Sequence, residues 1–240
     1  MKTPEALNRG MTLIELSIAL LVMSLVLGSG LSLLRTQLEQ QKVKDTQRTL
    51  DEVKEAMLGY AINQTPAHLP CPDKTGGAGA GTANDGLEDV TLATGVCVTQ
   101  EGNIPWATLG VPQTDAWGNR IHYRVTNLFS NRSPAASLTL ASSGTLRVCQ
   151  AAGCATVISN TVPAVVLSYG KNGSGAITAA SAARPAPAGA DETENTNIDD
   201  DFVSHSPTSL DAPAGEFDDI VGWLSSGVLF NRLVAAGKLP

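Results

Sequence analysis

Gly10-Met11-Thr12-Leu13-Ile14-Glu15-Leu16 opens a run that continues as SIALLVMSLVLGSGLSLL to Leu34. Met11 to Leu34 is almost wholly apolar. As a helix it would extend about 36 Å at roughly 1.5 Å per residue, enough to cross a bilayer. Gly28 and Gly30 weaken helix locally and give it a place to bend. Upstream, residues 1–10 read MKTPEALNRG, polar and with Lys2 and Arg9 basic. An ordinary secretory signal is cut after its apolar run, at an A-x-A-like site. No such site follows here, and the break in character lies at Gly10–Met11. The leader can therefore be removed while the apolar helix is kept. A basic leader stays on the cytoplasmic side and places the C-terminal bulk outside.

Glu15 is the one charge in this run. A carboxylate inside a membrane helix costs about 2.5–3.5 kcal/mol on insertion scales. Cleavage after Gly10 would give Met11 a free amine, and Glu15 would become the fifth residue of the mature chain. Its partner is then its own terminus or the amine of a neighbouring subunit, and either pair neutralises both charges in a dry helix bundle. The competing reading is a glutamate that snorkels near the end of a plain anchor.

Gly-Met-Thr-Leu-Ile-Glu-Leu followed by about twenty apolar residues resembles the prepilin signature of type IV pilins, minor pilins and type II secretion pseudopilins. The resemblance implies a prepilin peptidase that cuts after Gly10 and methylates the new amine of Met11, with Glu15 as the assembly glutamate. The usual first mature residue of that family is Phe, and here it is Met. Asp115-Ala116-Trp117-Gly118-Asn119 is similar to the D-x-W-G-N segment of the same proteins, so the resemblance reaches the globular domain. It implies a non-enzymatic structural subunit of a type IV pilus or type II secretion pseudopilus, of the minor or specialised kind. Its partners would be other pilin or pseudopilin subunits, the peptidase and the bacterial inner membrane. The alternative is a tethered extracytoplasmic binding module, a filament-tip adhesin or a receptor for secretion substrates. A tethered hydrolase is a third reading.

Beyond the run, Leu50, Val53, Met57 and Tyr60 recur at helical spacing, and Pro66 and Pro70 end the pattern by about residue 65. Ile121 to Val125 alternates as a strand after the Trp117-Gly118-Asn119 turn. Further strands are expected at 138–141, 145–149, 155–159, 162–169 and 220–224, with a short helix at the C-terminus. The expected fold is α+β and pilin-like: a long N-terminal helix, membrane-spanning in its first half, packed on a small antiparallel β-sheet with long loops. The expected organisation is a leader at 1–10, a transmembrane and filament-core helix at 11–34, its amphipathic continuation at 35–65, and an extracytoplasmic domain at 66–240. Residues 174–215 read as an acidic surface loop. The glycine run 76–81 lacks the Gly-Lys-Ser/Thr ending of a phosphate loop and reads as a flexible surface loop.

The formal charge is −7, which argues against a nucleic-acid footprint. Cys71, Cys97, Cys149 and Cys154 share no CxxC spacing, which argues against structural zinc. An even count in an exported chain favours disulfides, and four cysteines allow three pairings. Cys149–Cys154, closing a short turn, and Cys71–Cys97, stapling the glycine-rich loop, are the favoured pairs. His68, His122 and His205 stand in no nucleophile pattern, and Ser168-Tyr169-Gly170 is not a G-x-S-x-G elbow. No catalytic residue and no cofactor is assigned. Between Asp191 and Asp219 there are ten acids and no Lys or Arg. Asp199, Asp200 and Asp201, with Asp218 and Asp219, are the calcium candidates. The resemblance permits such a site, since some pseudopilins hold calcium in the C-terminal region of the domain; a solvated acidic loop is the alternative.

Overall fold

Leu50, Val53, Met57 and Ala61 share one face of helix α1 (Leu13–Asn63), and all are buried. The computed structural model that shows this describes residues 11–133 and 137–239, with backbone alone at 26–34. The chain divides into two compact units, 1–42 and 43–240. In the second unit the buried face of α1 meets a four-stranded antiparallel sheet. Its order is β3 (Glu101–Asn103), β4 (His122–Val125), β7 (Ala164–Ser168), β9 (Ile220–Leu224).

β7 is buried at every position, which suits its Ala-Val-Val-Leu-Ser sequence. Successive side chains of a strand point to opposite faces. Ala164 and Val166 join the α1 core with Tyr123, Val125, Leu224, Leu229 and Leu233. Val165 joins Leu146, Val148, Val162 and Phe202 in a second core. That second core lies on a three-stranded sheet ordered β6 (Val157–Val162), β5 (Leu146–Cys149), β8 (Asp201–Val203). A ribbon of β1 (Val90–Thr91) and β2 (Val96–Cys97), the short helices α2 (Trp106–Leu109), α3 (Asn127–Ser130) and α4 (Ala190–Glu194), and the terminal helix α5 (Ser226–Ala235) complete the chain.

Several expectations are corrected. Among the described residues no helix is long and apolar enough to cross a membrane. From Arg35 onward the helix is charged and not apolar enough to span a bilayer. The membrane-spanning first half is therefore withdrawn. The α+β class and the small antiparallel sheet are present, the latter as β3-β4-β7-β9, while a second sheet adds a parallel pair, β5 with β8, Arg147 opposite Asp201. Residues 138–141 form no strand. Leu138 is buried there by packing alone, and Thr139 donates its N–H to the Ser142 hydroxyl. Residues 174–215 are not only loop, since they hold α4 and β8 with Glu192, Asn195 and Phe202 buried.

The Asp115–Asn119 segment locks these layers. Asp115 Oδ1 accepts the N–H groups of Trp117 and Asn119, and Gly118 adopts φ 84°, a conformation that favours glycine. Thr46 of α1 accepts the Ala116 N–H, and Asn119 donates to the Gly170 carbonyl. The glycine run is exposed, and Lys74 Nζ donates to its Gly79 and Ala80 carbonyls.

Candidate functional site

The start of α1 is organised around Glu15. The Thr12 hydroxyl and N–H both donate to Glu15 Oε2, at 2.8 and 2.9 Å, while the Glu15 N–H donates to Thr12 Oγ1 at 3.3 Å. This is a capping box, which satisfies N–H groups that the first helical turn leaves without partners. Thr12-x-x-Glu15 is its sequence signature, and the sequence reading passed over it. Glu15 thus has a local structural role, separate from the assembly role expected of it. Met11 is exposed; Gly10 lies outside the described residues. Leu13, Ile14, Leu16, Ile18, Leu20, Leu21, Val22, Met23 and Leu25 are also exposed, from 48% to 87%. A helix that is apolar all round belongs in a buried setting, and among the described residues this stretch has its apolar side chains bare.

Both cysteine pairs are joined, Cys71–Cys97 and Cys149–Cys154, with Cα separations of 5.3 and 5.1 Å. Cys71 and Cys97 are buried in one small cluster with Val90.

The calcium candidates separate into two groups. Arg124 donates to Asp200 Oδ1 at 2.8 Å through Nη2, and Arg147 holds Asp201 through two hydrogen bonds of 2.6 and 2.5 Å. Asp199 accepts the Asp201 N–H. Burial opposes the Asp200 charge, yet hydrogen bonds from Arg124 and Thr145 hold its carboxyl below the usual range. Asp199, Asp200 and Asp201 are therefore not brought together as one ligand set. Asp201 does lie near Cys149 and Cys154, but the disulfide leaves that group no thiolate. Asp218 and Asp219 converge instead with Glu192 of α4, which the sequence reading did not single out. One carboxylate oxygen from each lies within 4.8 Å of the other two.

A polar cavity of about 290 Å³ opens on the β3–β4 pair, lined by Glu101, Asn103, Arg120, His122 and Tyr169 among others. Burial, with the Arg124 charge adding to it, pushes His122 down to about 4, so the imidazole is neutral at physiological pH. Its Nε2 lies 3.5 Å from Glu101 Oε1 without hydrogen-bond geometry, and Arg124 takes up the other Glu101 oxygen. Arg120 stacks over Trp106 at 4.4 Å and donates to the Asn84 and Ala179 carbonyls and the Ser181 hydroxyl. Of the other histidines, His68 faces the Pro66 carbonyl and His205 faces Asp191.

Compared with protein-family models, curated proteins and solved structures, the chain matches none.

Proposed function

We propose that the chain is a structural subunit of a pilus-type filament, of the type IV pilus or type II secretion pseudopilus class, and works by assembly rather than by chemistry. A prepilin-type peptidase removes residues 1–10 and methylates Met11. Neighbouring subunits then cover the apolar start of α1. The observation that carries the reading is that surface: nine large apolar side chains from Leu13 to Leu25, all exposed, beginning within the Gly-Met-Thr-Leu-Ile-Glu motif. Two disulfides support an extracytoplasmic place for the second unit. Glu15 pairs with the Met11 amine of the next subunit and sets register as each one is added.

Intact-mass and N-terminal analysis of the protein from its native cells tests the processing. A chain that begins at N-methylated Met11 supports the reading; a retained leader overturns it. Co-purification with sheared surface filaments or with a secretion complex tests assembly and separates the two filament classes. The second reading, a tethered binding module, rests on the cavity beside His122 and Arg120. It is favoured if the processed chain stays outside any filament.

A further inference from the structure

β3 and β4 present a polar face away from the α1 core. Successive side chains of a strand point to opposite faces, and Tyr123 and Val125 of β4 lie in that core. His122 and Arg124 therefore share the other face, where Asn103 stands opposite His122 and Glu101 opposite Arg124. The cavity of about 290 Å³ sits here, and Tyr169, Ile177 and Ile198 contribute to its other walls.

Buried polar groups are normally hydrogen-bonded, yet several side chains of this cavity lack partners. Tyr169 is 5% exposed, and its hydroxyl makes no hydrogen bond among the described residues. Neither ring nitrogen of His122 makes one, and Nε2 is shut away from solvent. Arg120 is 3% exposed, and its Nε–H lacks an acceptor. Glu101 Oε1 receives no donor, because Arg124 takes up Oε2. Burial first, then Asp219 and Glu101, push the Tyr169 hydroxyl well up, so it keeps its proton. Neutral His122 has one ring nitrogen that donates and one that accepts.

The charges on this face are already spent. Glu101 is paired with Arg124, which also holds Asp200. The Arg120 Nη groups donate to two backbone carbonyls and the Ser181 hydroxyl. An anion in the cavity meets the Glu101 carboxylate, and a cation meets the Arg120 guanidinium, in a setting less screened than water. What remains is hydrogen-bonding capacity of both kinds. A hydroxyl both donates and accepts, so a neutral ligand with several hydroxyls on one small frame satisfies it. The Tyr169 ring, half-buried Ile177 and Ile198, 84% exposed, offer apolar surface to the C–H face of such a frame. Ligand pockets run from about 300 to 1,000 Å³, so about 290 Å³ suits one ring rather than an extended chain.

We propose that this cavity binds a single neutral sugar ring, with Tyr169, His122, Arg120 and Glu101 hydrogen-bonding its hydroxyls. Such a site supplies the ligand of the binding-module reading, on which it rests, and is independent of filament assembly.

The full-length chain, in a detergent without sugar headgroups, is screened against glucose, galactose, mannose and N-acetylglucosamine by saturation-transfer NMR. Acetate and glycine are the charged comparators. At least one sugar is expected to bind saturably and to move the imidazole nitrogen shifts of His122. Tyr169→Phe, which removes only the hydroxyl, should weaken binding by about fivefold or more. Ile198→Ala, at an exposed position, should weaken it by about twofold or more, and it decides if near-ultraviolet circular dichroism shows that Tyr169→Phe does not fold. A panel with no binder, or unaltered affinity in the folded variant, overturns the site. Binding that leaves His122 unmoved places the sugar elsewhere and also overturns it. Acetate or glycine bound as tightly as the best sugar overturns the choice of a neutral ligand. Sugar bound by a chain that enters sheared filaments supports the site and overturns only the binding-module reading.

Discussion

Ser168 donates its hydroxyl hydrogen to Asp115 Oδ2 at 2.7 Å, joining the end of β7 to the turn that leads into β4. The other Asp115 oxygen holds the N–H groups of Trp117 and Asn119. Burial raises the Asp115 carboxyl, and these hydrogen bonds offset part of that rise. Asp115→Ala leaves these buried donors without an acceptor, at about 1–3 kcal/mol for each fully orphaned group and less when summed. The expected loss is about 2–4 kcal/mol in urea unfolding, with Asp115→Asn recovering part of it. An Asp115→Ala chain within about 0.5 kcal/mol of the parent would show that the turn holds itself.

Glu15 has two roles that two substitutions separate. Glutamine serves in a capping box as well as glutamate does, so Glu15→Gln keeps the cap and loses the charge. Thr12→Ala does the reverse, at about 1 kcal/mol of helix stability. If Glu15 meets a neighbour's amine, Glu15→Gln abolishes incorporation into sheared filaments while Thr12→Ala retains most of it. Equal incorporation of Glu15→Gln and the parent would leave Glu15 as a helix cap only.

The two disulfides differ in the loop they close. Cys71–Cys97 spans 26 residues and Cys149–Cys154 spans 5. In the chain-entropy model these correspond to about 3.5 and about 2 kcal/mol. The double serine variant of Cys71 and Cys97 should therefore lower the urea midpoint more than that of Cys149 and Cys154. The opposite order would mean that the short bridge acts through the α4 contact at Asp191 rather than through the unfolded chain.

Asp218 makes stability depend on pH. Its folded carboxyl is pushed up to about 6 by burial first and then by Glu192 and Glu216; the unfolded value is near 4. The folded chain holds the extra proton between those values, so its stability falls as pH rises from about 4 to about 6. Asp73, raised to about 6 by burial, adds the same sign. His122, lowered to about 4 by burial and Arg124, has the opposite sign across about pH 4 to 6.5. The Asp218 share is therefore read from the difference between the parent and Asp218→Asn. In EDTA the variant should gain about 1 kcal/mol on the parent between pH 4 and pH 7, a figure reduced for partial exposure. A difference that is flat with pH would refute the shift.

What the sequence disclosed and what it hid divide by range. The end of α1 near Pro66, the β9 strand at 220–224 and the terminal helix follow from local spacing and breakers, and the structure has them. The Trp117-Gly118-Asn119 turn is also local, because Asp115 bonds within its own segment. The partners of Asp200 and Asp201 were not legible. Arg124 and Arg147 lie 76 and 54 residues away and arrive only through folding. The same holds for Glu192, one of three acids in Asp191-Glu192-Thr193-Glu194 and not distinguishable among them until α4 carries it to Asp218. The parallel β5–β8 pair was hidden by its long connection. The membrane span expected of the first half of α1 is not borne out, because among the described residues no helix is long and apolar enough to cross a membrane.

In the proposed filament, the bare apolar surface of Leu13 to Leu25 makes the solitary chain the high-energy species. Covering it releases about 25 cal/mol per Å², so the population of free subunit is governed by mass action. Below a threshold concentration the chain remains dispersed. Above it, added protein enters the associated phase while the free level stays constant, and any agent that masks these side chains resets the threshold.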